Sequence, residues 1–63
     1  MEKLRKFRKL KKYSQKDMAV QLGVSASYYY KVESGHQNPS YEFLVKFKKR
    51  FPNDSVDQVF FSK

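Results

Sequence analysis

Helix starts and stops are the feature that most restricts how this chain can fold. Ser14, Ser25 and Ser40 each precede a run with helical spacing of apolar residues. A serine hydroxyl at such a position accepts a hydrogen bond from the free amides of a helix N-terminus. Gly23 and Gly35 follow two of these runs, where a left-handed residue commonly ends a helix. We therefore expect one small all-α domain spanning residues 1–63.

Apolar residues recur every three or four positions within each segment, which is the period of a helix rather than of a strand. Five short helices are predicted: from about Glu2 to Lys12, from Ser14 to Gly23, from about Ser25 to Ser34, from Ser40 to Phe51, and from near Asp54 or Ser55. Pro52 prevents the fourth helix from continuing, because proline lacks the amide that a helix interior needs.

Aromatic side chains supply much of the buried area that so short a chain can gain, since it has six Phe, five Tyr and no Cys. The expected core is Leu4, Phe7, Leu10, Met18, Ala19, Leu22, Val24, Tyr29, Val32, Leu44, Phe47, Phe51, Val56, Val59 and Phe60. Phe61 falls outside that set, so it is either a simple exposed side chain or a dimer contact.

The net charge of +8 indicates a polyanionic partner, either nucleic acid or an acidic membrane surface. Residues 1–12 hold seven of the 14 basic groups, which either form a solvated face or steer a polyanion. A second basic cluster comprises Lys46, Lys48, Lys49 and Arg50. The first helix lacks the broad apolar face of a membrane-surface helix, and no apolar run approaches the roughly 18 residues of a membrane span. Nucleic acid and a cytoplasmic, nucleoid-associated location are therefore expected.

Chemistry-bearing side chains are sparse. His36 is the only histidine, no cysteine stands near it, and no two carboxylates cluster for acid–base work. We therefore expect no metal site, no cofactor and no enzymatic activity.

The segment from Gln15 to Val32 has the pattern of two helices joined by a tight turn. Ala19 is small enough for the two helices to cross closely, and Gly23 can adopt the positive φ of a sharp turn. Apolar residues are found where the two helices must share a small core. This combination in eighteen residues predicts a helix-turn-helix unit formed by helices 2 and 3.

The chain resembles the Xre or Cro/C1-type helix-turn-helix family of prokaryotic and phage regulators. The matching stretches are Phe7-Arg8, Ser14 to Ala19, Leu22 to Ser25, Tyr29 to Gly35, Asn38-Pro39-Ser40 and Ser55 to Phe60. The resemblance implies a five-helix, lambda-repressor-like domain. It also implies a sequence-specific regulator of transcription that binds double-stranded DNA, represses from an operator and acts as a homodimer. The small size suggests a phage or mobile-element origin.

The resemblance also implies roles for individual residues. Gln15 resembles a DNA phosphate contact, and Ser25 caps the recognition helix, whose first amides can approach phosphate. Positions that usually face base edges are occupied by Ala26, Ser27 and Lys31, with Tyr28 and Tyr30 beside them. Candidate backbone contacts in the following loop are His36, Gln37 and Asn38. Arg8 and Glu33 match a buried salt bridge; the alternative is two unrelated surface charges.

A helical wheel of the third helix tests these assignments. With Tyr29 and Val32 placed inward, the residues that point outward are Ser27, Tyr30, Lys31 and Ser34. Tyr29 departs from the family, which more often has Ile or Val there, so its hydroxyl must find a partner or reach the domain edge. The alternative in which Tyr28 turns inward stays open. So do two other functions for this fold, a low-specificity or architectural nucleic-acid binder and a toxin-partner interaction module.

Overall fold

The computed structural model describes residues 1–61, which form four α-helices and one π-helical turn. Their bounds are α1 (Glu2–Leu10), α2 (Gln15–Leu22), α3 (Ala26–Ser34), α4 (Tyr41–Arg50) and the π-helix (Asp57–Phe61). No strand occurs within residues 1–61. The expected all-α class with five helical elements is confirmed, while the last two residues of the expected domain lie outside the described residues.

The three predicted serine caps are all present. Ser14 Oγ accepts from the Asp17 amide at 3.0 Å, and the Asp17 carboxylate accepts from the Ser14 amide at 3.3 Å. Ser25 and Ser40 each accept at 3.1 Å from the amide three residues later. Each cap satisfies an amide that has no partner inside its helix, which sets the residue at which the helix begins.

Gly23 and Gly35 end α2 and α3 with φ values of 69° and 85°. A Cβ added at either glycine would meet no atom within 4 Å. The positive φ, rather than a lack of space, is therefore the reason for glycine at both helix ends.

The core is a cluster of aromatic and aliphatic side chains that all helices contribute to. Phe7 lies 5.2 Å from Phe47 and 5.1 Å from Phe51, measured between ring centroids, and Phe60 lies 5.0 Å from Phe47. The buried apolar residues are Leu4, Phe7, Met18, Ala19, Leu22, Tyr29, Val32, Phe43, Phe47, Phe51, Val59 and Phe60. Val24, Leu44 and Val56 were expected in the core and are half-buried at its edge.

Leu10 is the residue for which the core prediction is wrong, since it is 81% exposed. Residues three apart on a helix are offset from one another by 60° around its axis. After two such steps from Leu4, Leu10 no longer lies on the face that buries Leu4. The helical continuation of that face is Lys11, whose Nζ lies 5.2 Å from the Phe7 ring centroid and 5.6 Å from that of Phe51. The helix also ends before Lys12, which has a φ of 63°.

The last helical element differs from its prediction in start and in type. It begins at Asp57 rather than near Asp54 or Ser55, and it is a π-helix. Ser55 Oγ still accepts from the Gln58 amide at 3.3 Å. Val59 and Phe60 are buried as expected, and Phe61 is 58% exposed.

Within residues 1–61, no helix is both long and apolar enough to cross a bilayer. No group of three or more His, Cys, Asp or Glu side chains in that range could hold a metal ion.

Candidate nucleic-acid interface

Helices α2 and α3 cross closely around the turn at Gly23, as the helix-turn-helix pattern predicts. Ala19 is buried at the crossing, and its carbonyl accepts from the Val24 amide at 3.0 Å. Lys46 Nζ of α4 donates to the Gly23 carbonyl at 3.2 Å, which ties the turn to a third helix. The orientation of α3 is therefore set by packing and by hydrogen bonds to the turn that precedes it.

Glu33 is the only charged side chain that is buried within residues 1–61, and it binds side chains from three helices. Arg8 forms a two-pronged pair with it, with Nε 2.9 Å from Oε2 and Nη2 3.1 Å from Oε1. The Tyr29 hydroxyl donates to Oε2 at 2.5 Å, and Gln15 Nε2 donates to Oε1 at 3.1 Å. We call these four residues the Glu33 network. It joins α1, α2 and α3.

The protonation of the Glu33 network follows from its geometry. Burial disfavours ionisation of Glu33, but hydrogen bonds from Arg8, Tyr29 and Gln15 together with the charge of Arg8 outweigh it, so the pKa of Glu33 lies below its usual value. Burial, with the hydrogen bond to Glu33, raises the pKa of the Tyr29 hydroxyl. The hydrogen bond to Glu33 raises the pKa of Arg8. The network is thus an ion pair with a neutral tyrosine donor.

Tyr28 turns towards α4 rather than lying on the outward face of α3, which is the direction that the open alternative allowed. Its ring packs against Phe43 of α4 with centroids 5.6 Å apart. Its hydroxyl accepts from the Ser40 amide at 3.0 Å and donates to Ser40 Oγ at 3.3 Å. Tyr28 therefore fastens the start of α3 to the start of α4. Tyr29 is also buried, but its hydroxyl binds Glu33 of the same helix.

The outward face of α3 has the exposed residues that the helical wheel predicts. Tyr30 is 43% exposed, and Ser27, Lys31 and Ser34 are exposed as well. Ser27, Tyr30 and Lys31 make no side-chain hydrogen bond or ion pair with any other residue in the range 1–61. We call Ser27, Tyr30, Lys31 and Ser34 the outer surface of α3. The polar groups of Ser27, Tyr30 and Lys31 are free to bind a partner, whereas the Ser34 hydroxyl donates to the Lys31 carbonyl at 3.2 Å.

The loop after α3 is held close to the end of that helix. The amides of His36 and Gln37 donate to the Lys31 carbonyl at 2.9 and 3.2 Å. Ser34 Oγ lies 2.8 Å from His36 Nδ1. His36, Gln37 and Asn38 are exposed, so the three loop candidates lie beside the outer surface of α3.

The remaining candidates differ in how much of each side chain is available. Gln15 is the first residue of α2 and is exposed, although one of its amide hydrogens is bound to Glu33. Ser25 is exposed, with its oxygen accepting the capping bond. Ala26 is half-buried and packs against the core.

Sequence reasoning found the Arg8–Glu33 pair but missed that Tyr29 and Gln15 complete it. The usable signal for Tyr29 is its spacing, because residues four apart on a helix lie on one face and a buried tyrosine needs an acceptor. For Gln15 no sequence signal was available, since its approach to Glu33 depends on the crossing of α2 and α3.

Residues 4–52 match the sequence model of the helix-turn-helix family, which covers most of the 63-residue chain. The fold and the match together define a helix-turn-helix protein. The chain therefore belongs to the helix-turn-helix family, in its Cro/C1 type.

One relative is the HTH-type transcriptional regulator SlrR of Bacillus subtilis (strain 168), which is 52% identical to this chain over 44 residues. The aligned stretch covers 68% of this chain and 29% of that protein. The chain thus spans under a third of the length of this curated relative. No solved structure matches the chain.

Proposed function

We propose that this protein is a sequence-specific regulator of transcription that reads the major groove of double-stranded DNA with α3. The observation that carries the proposal is the outer surface of α3, where the side chains of Ser27, Tyr30 and Lys31 have no partner within residues 1–61, while α3 itself is held by the Glu33 network. A rigid helix of this length with free donors matches the way a helix-turn-helix enters the groove. The family match and the regulator SlrR support the same function.

Lys31 is the residue we propose to select a base. Its ammonium can donate to O6 and N7 of guanine, which are the two acceptors that guanine presents in the major groove. Ser27 can donate or accept, and the half-buried Ala26 is proposed to contact a thymine methyl. Gln15, Ser25, Tyr30, His36, Gln37 and Asn38 are proposed as contacts to the DNA backbone.

The protein is proposed to repress by occupying an operator as a homodimer. Its Cα extents are 24 × 22 × 21 Å, which is less than the roughly 34 Å between half-sites on one face of DNA. One copy therefore suffices for one half-site, and two copies fit side by side. Phe61, which is 58% exposed, is the proposed contact between them.

Selection of bound duplexes from a random pool tests the proposal. A regulator enriches a two-part motif and binds it at least about 10³-fold more tightly than random duplex. Equal binding of all duplexes with stronger binding of single strands supports a low-specificity nucleic-acid binder instead. Absence of nucleic-acid binding supports a protein-interaction module.

The variant Lys31→Ala tests the assignment of base reading. It is expected to relax the preference at one position of the motif, worth about 1–3 kcal/mol of discrimination, while Asn38→Ala weakens all sequences alike. Repeating the selection with both variants gives the two motifs to compare. Uniform weakening by Lys31→Ala excludes Lys31 from base reading.

A further inference from the structure

A cleft of about 200 Å³ lies between α1 and the helix-turn-helix unit. Its lining residues are Arg5, Arg8, Lys9, Gln15, Glu33 and Ser34. The sequence leaves open whether the basic run of α1 is a solvated face or steers a polyanion. The structure divides that run into two stripes, because Arg5 and Lys9 line this cleft whereas Lys3 and Lys6 line a separate groove beside Val59.

The cleft is positively charged despite the carboxylate at its base. Arg8 neutralises Glu33 through a two-pronged pair, and the side chain of Glu33 is 3% exposed. Arg5 lies farther away, with Nε 4.0 Å from Glu33 Oε1, and it also pairs with the exposed Glu2 at 3.4 Å. Lys9 has no hydrogen-bond or ion-pair partner within residues 1–61. The Lys9 ammonium is thus the charge in this cleft that is free for an anion.

Gln15 presents a donor at the edge of the same cleft. An ionised carboxylate only accepts hydrogen bonds, so the contact with Glu33 Oε1 fixes the amide with Nε2 turned towards Glu33. Nε2 carries a second hydrogen, which that contact does not use. The Glu33 network therefore holds Gln15 in one orientation with a donor left over.

The position of the cleft identifies the anion. Ser34 belongs both to the cleft lining and to the outer surface of α3, so the cleft borders the surface proposed to enter the major groove. The walls of that groove are formed by the phosphates of the two strands. We propose that the cleft binds a DNA backbone phosphate, with Lys9 as the principal cation, Arg5 as the second and Gln15 as the oriented donor.

This inference rests on the proposed function and extends its DNA interface onto α1. It makes a directional claim, that one stripe of α1 touches DNA and the other does not. Lys9 and Lys6 give a matched pair for testing it, since both are exposed lysines on the same helix and neither has an ion-pair partner within residues 1–61.

The experiment measures the affinity of the full chain and of Lys9→Ala and Lys6→Ala for its selected duplex at several salt concentrations. Loss of one phosphate contact lowers the slope of log affinity against log salt by about 0.9, which corresponds to about eight-fold weaker binding at roughly 0.1 M salt. Lys9→Ala is expected to show that loss. Lys6→Ala removes the same charge away from the cleft and is expected to keep the slope of the wild type.

Ethylation of individual DNA phosphates gives a second readout. Ethylation at the phosphate bound in the cleft should impair binding of the wild type and of Lys6→Ala, and should have little effect on Lys9→Ala. Equal slopes for the two variants, or an unchanged interference pattern for Lys9→Ala, overturn the inference while leaving the proposed function intact. Failure of the wild type to bind any DNA overturns both. Circular dichroism melts confirm that all variants are folded.

Discussion

The inner and outer faces of α3 use similar polar side chains for opposite purposes. On the inner face, the hydroxyls of Tyr28 and Tyr29 bind Ser40 and Glu33, so their hydrogen-bonding capacity is used within the domain. On the outer face, the Tyr30 hydroxyl and the Lys31 ammonium have no partner within residues 1–61. The difference shows that the fate of a polar group on this helix depends on its angular position, and that partnered groups stabilise the domain while free groups are available to DNA.

Among variants of the inner face, Glu33→Ala is expected to have the largest effect on the free energy of unfolding. It leaves the Arg8 guanidinium, on a side chain that is 11% exposed, without its carboxylate and should lower the free energy of unfolding by about 3–5 kcal/mol. Urea denaturation measures the change. The matched control is Glu42→Ala, because Glu42 forms an exposed pair with Lys46 at 3.3 Å and should matter little. Equal losses in the two variants would mean that the network does not hold α3.

Tyr29→Phe is expected to have the next largest effect. It removes a hydrogen bond to a charged group, worth about 1.5–3 kcal/mol, without changing the shape of the side chain. The same urea titration measures it. A loss under about 0.5 kcal/mol would show that Arg8 alone satisfies Glu33.

The same variant should change how stability depends on pH. Because the pKa of Glu33 is lowered in the folded state, its stabilising contribution is present above its ordinary value of 4.5 and is lost as the pH falls. Removing the Tyr29 hydroxyl raises the pKa of Glu33 in the folded state towards its ordinary value, so the acid-dependent loss of stability should be smaller and should be complete at a higher pH. Because the pKa of Tyr29 is raised in the folded state, the wild type should also lose stability above pH 10.0, and Tyr29→Phe should not lose that contribution.

Tyr28→Phe should have a smaller effect, of about 1 kcal/mol, because it removes hydrogen bonds between uncharged groups. Amide hydrogen exchange locates the loss. The Ser40 amide, which donates to Tyr28, should exchange faster in the variant, whereas the Tyr29 amide should not. Unchanged exchange at Ser40 would contradict the tie between α3 and α4.

The smallest effect on stability is expected from Tyr30→Phe, within about 0.5 kcal/mol. Its hydroxyl has no partner within residues 1–61 to lose. Its effect should instead be seen in DNA affinity, measured by fluorescence anisotropy. If Tyr30→Phe loses stability but binds DNA normally, the Tyr30 hydroxyl stabilises the domain, like the hydroxyls of the inner face, and does not contact DNA.

Local sequence signals predicted the helices well because the serine caps and the glycines act within a few residues of themselves. Ser14, Ser25 and Ser40 are caps, and Gly23 and Gly35 are left-handed, as expected. Such local signals do not predict which of two neighbouring apolar residues, Phe43 or Leu44, is buried. Both fit a helical face with Phe47, and the larger Phe43 is the one that tertiary packing buries.

The candidate site was predictable where the exposure of a residue depends on its angle on one helix. It was less predictable where a side chain contacts another helix. The helical wheel gave the outer surface of α3 correctly, because exposure there depends on the angle of each residue on one helix. The direction of Tyr28, in contrast, depends on the amide of Ser40, twelve residues away. The role of Lys9 is similarly invisible in sequence, where it is one of seven basic residues within positions 1–12.

Because α3 has only nine residues, it is too short to persist as an isolated helix. It keeps its form through Glu33, Tyr28 and the core, so the surface proposed to meet DNA exists only while the whole domain is intact. Folding and DNA binding are then thermodynamically linked. Free DNA at 100 times its dissociation constant stabilises the folded protein by about 2.7 kcal/mol. Copies released from DNA should be the ones that proteases degrade first.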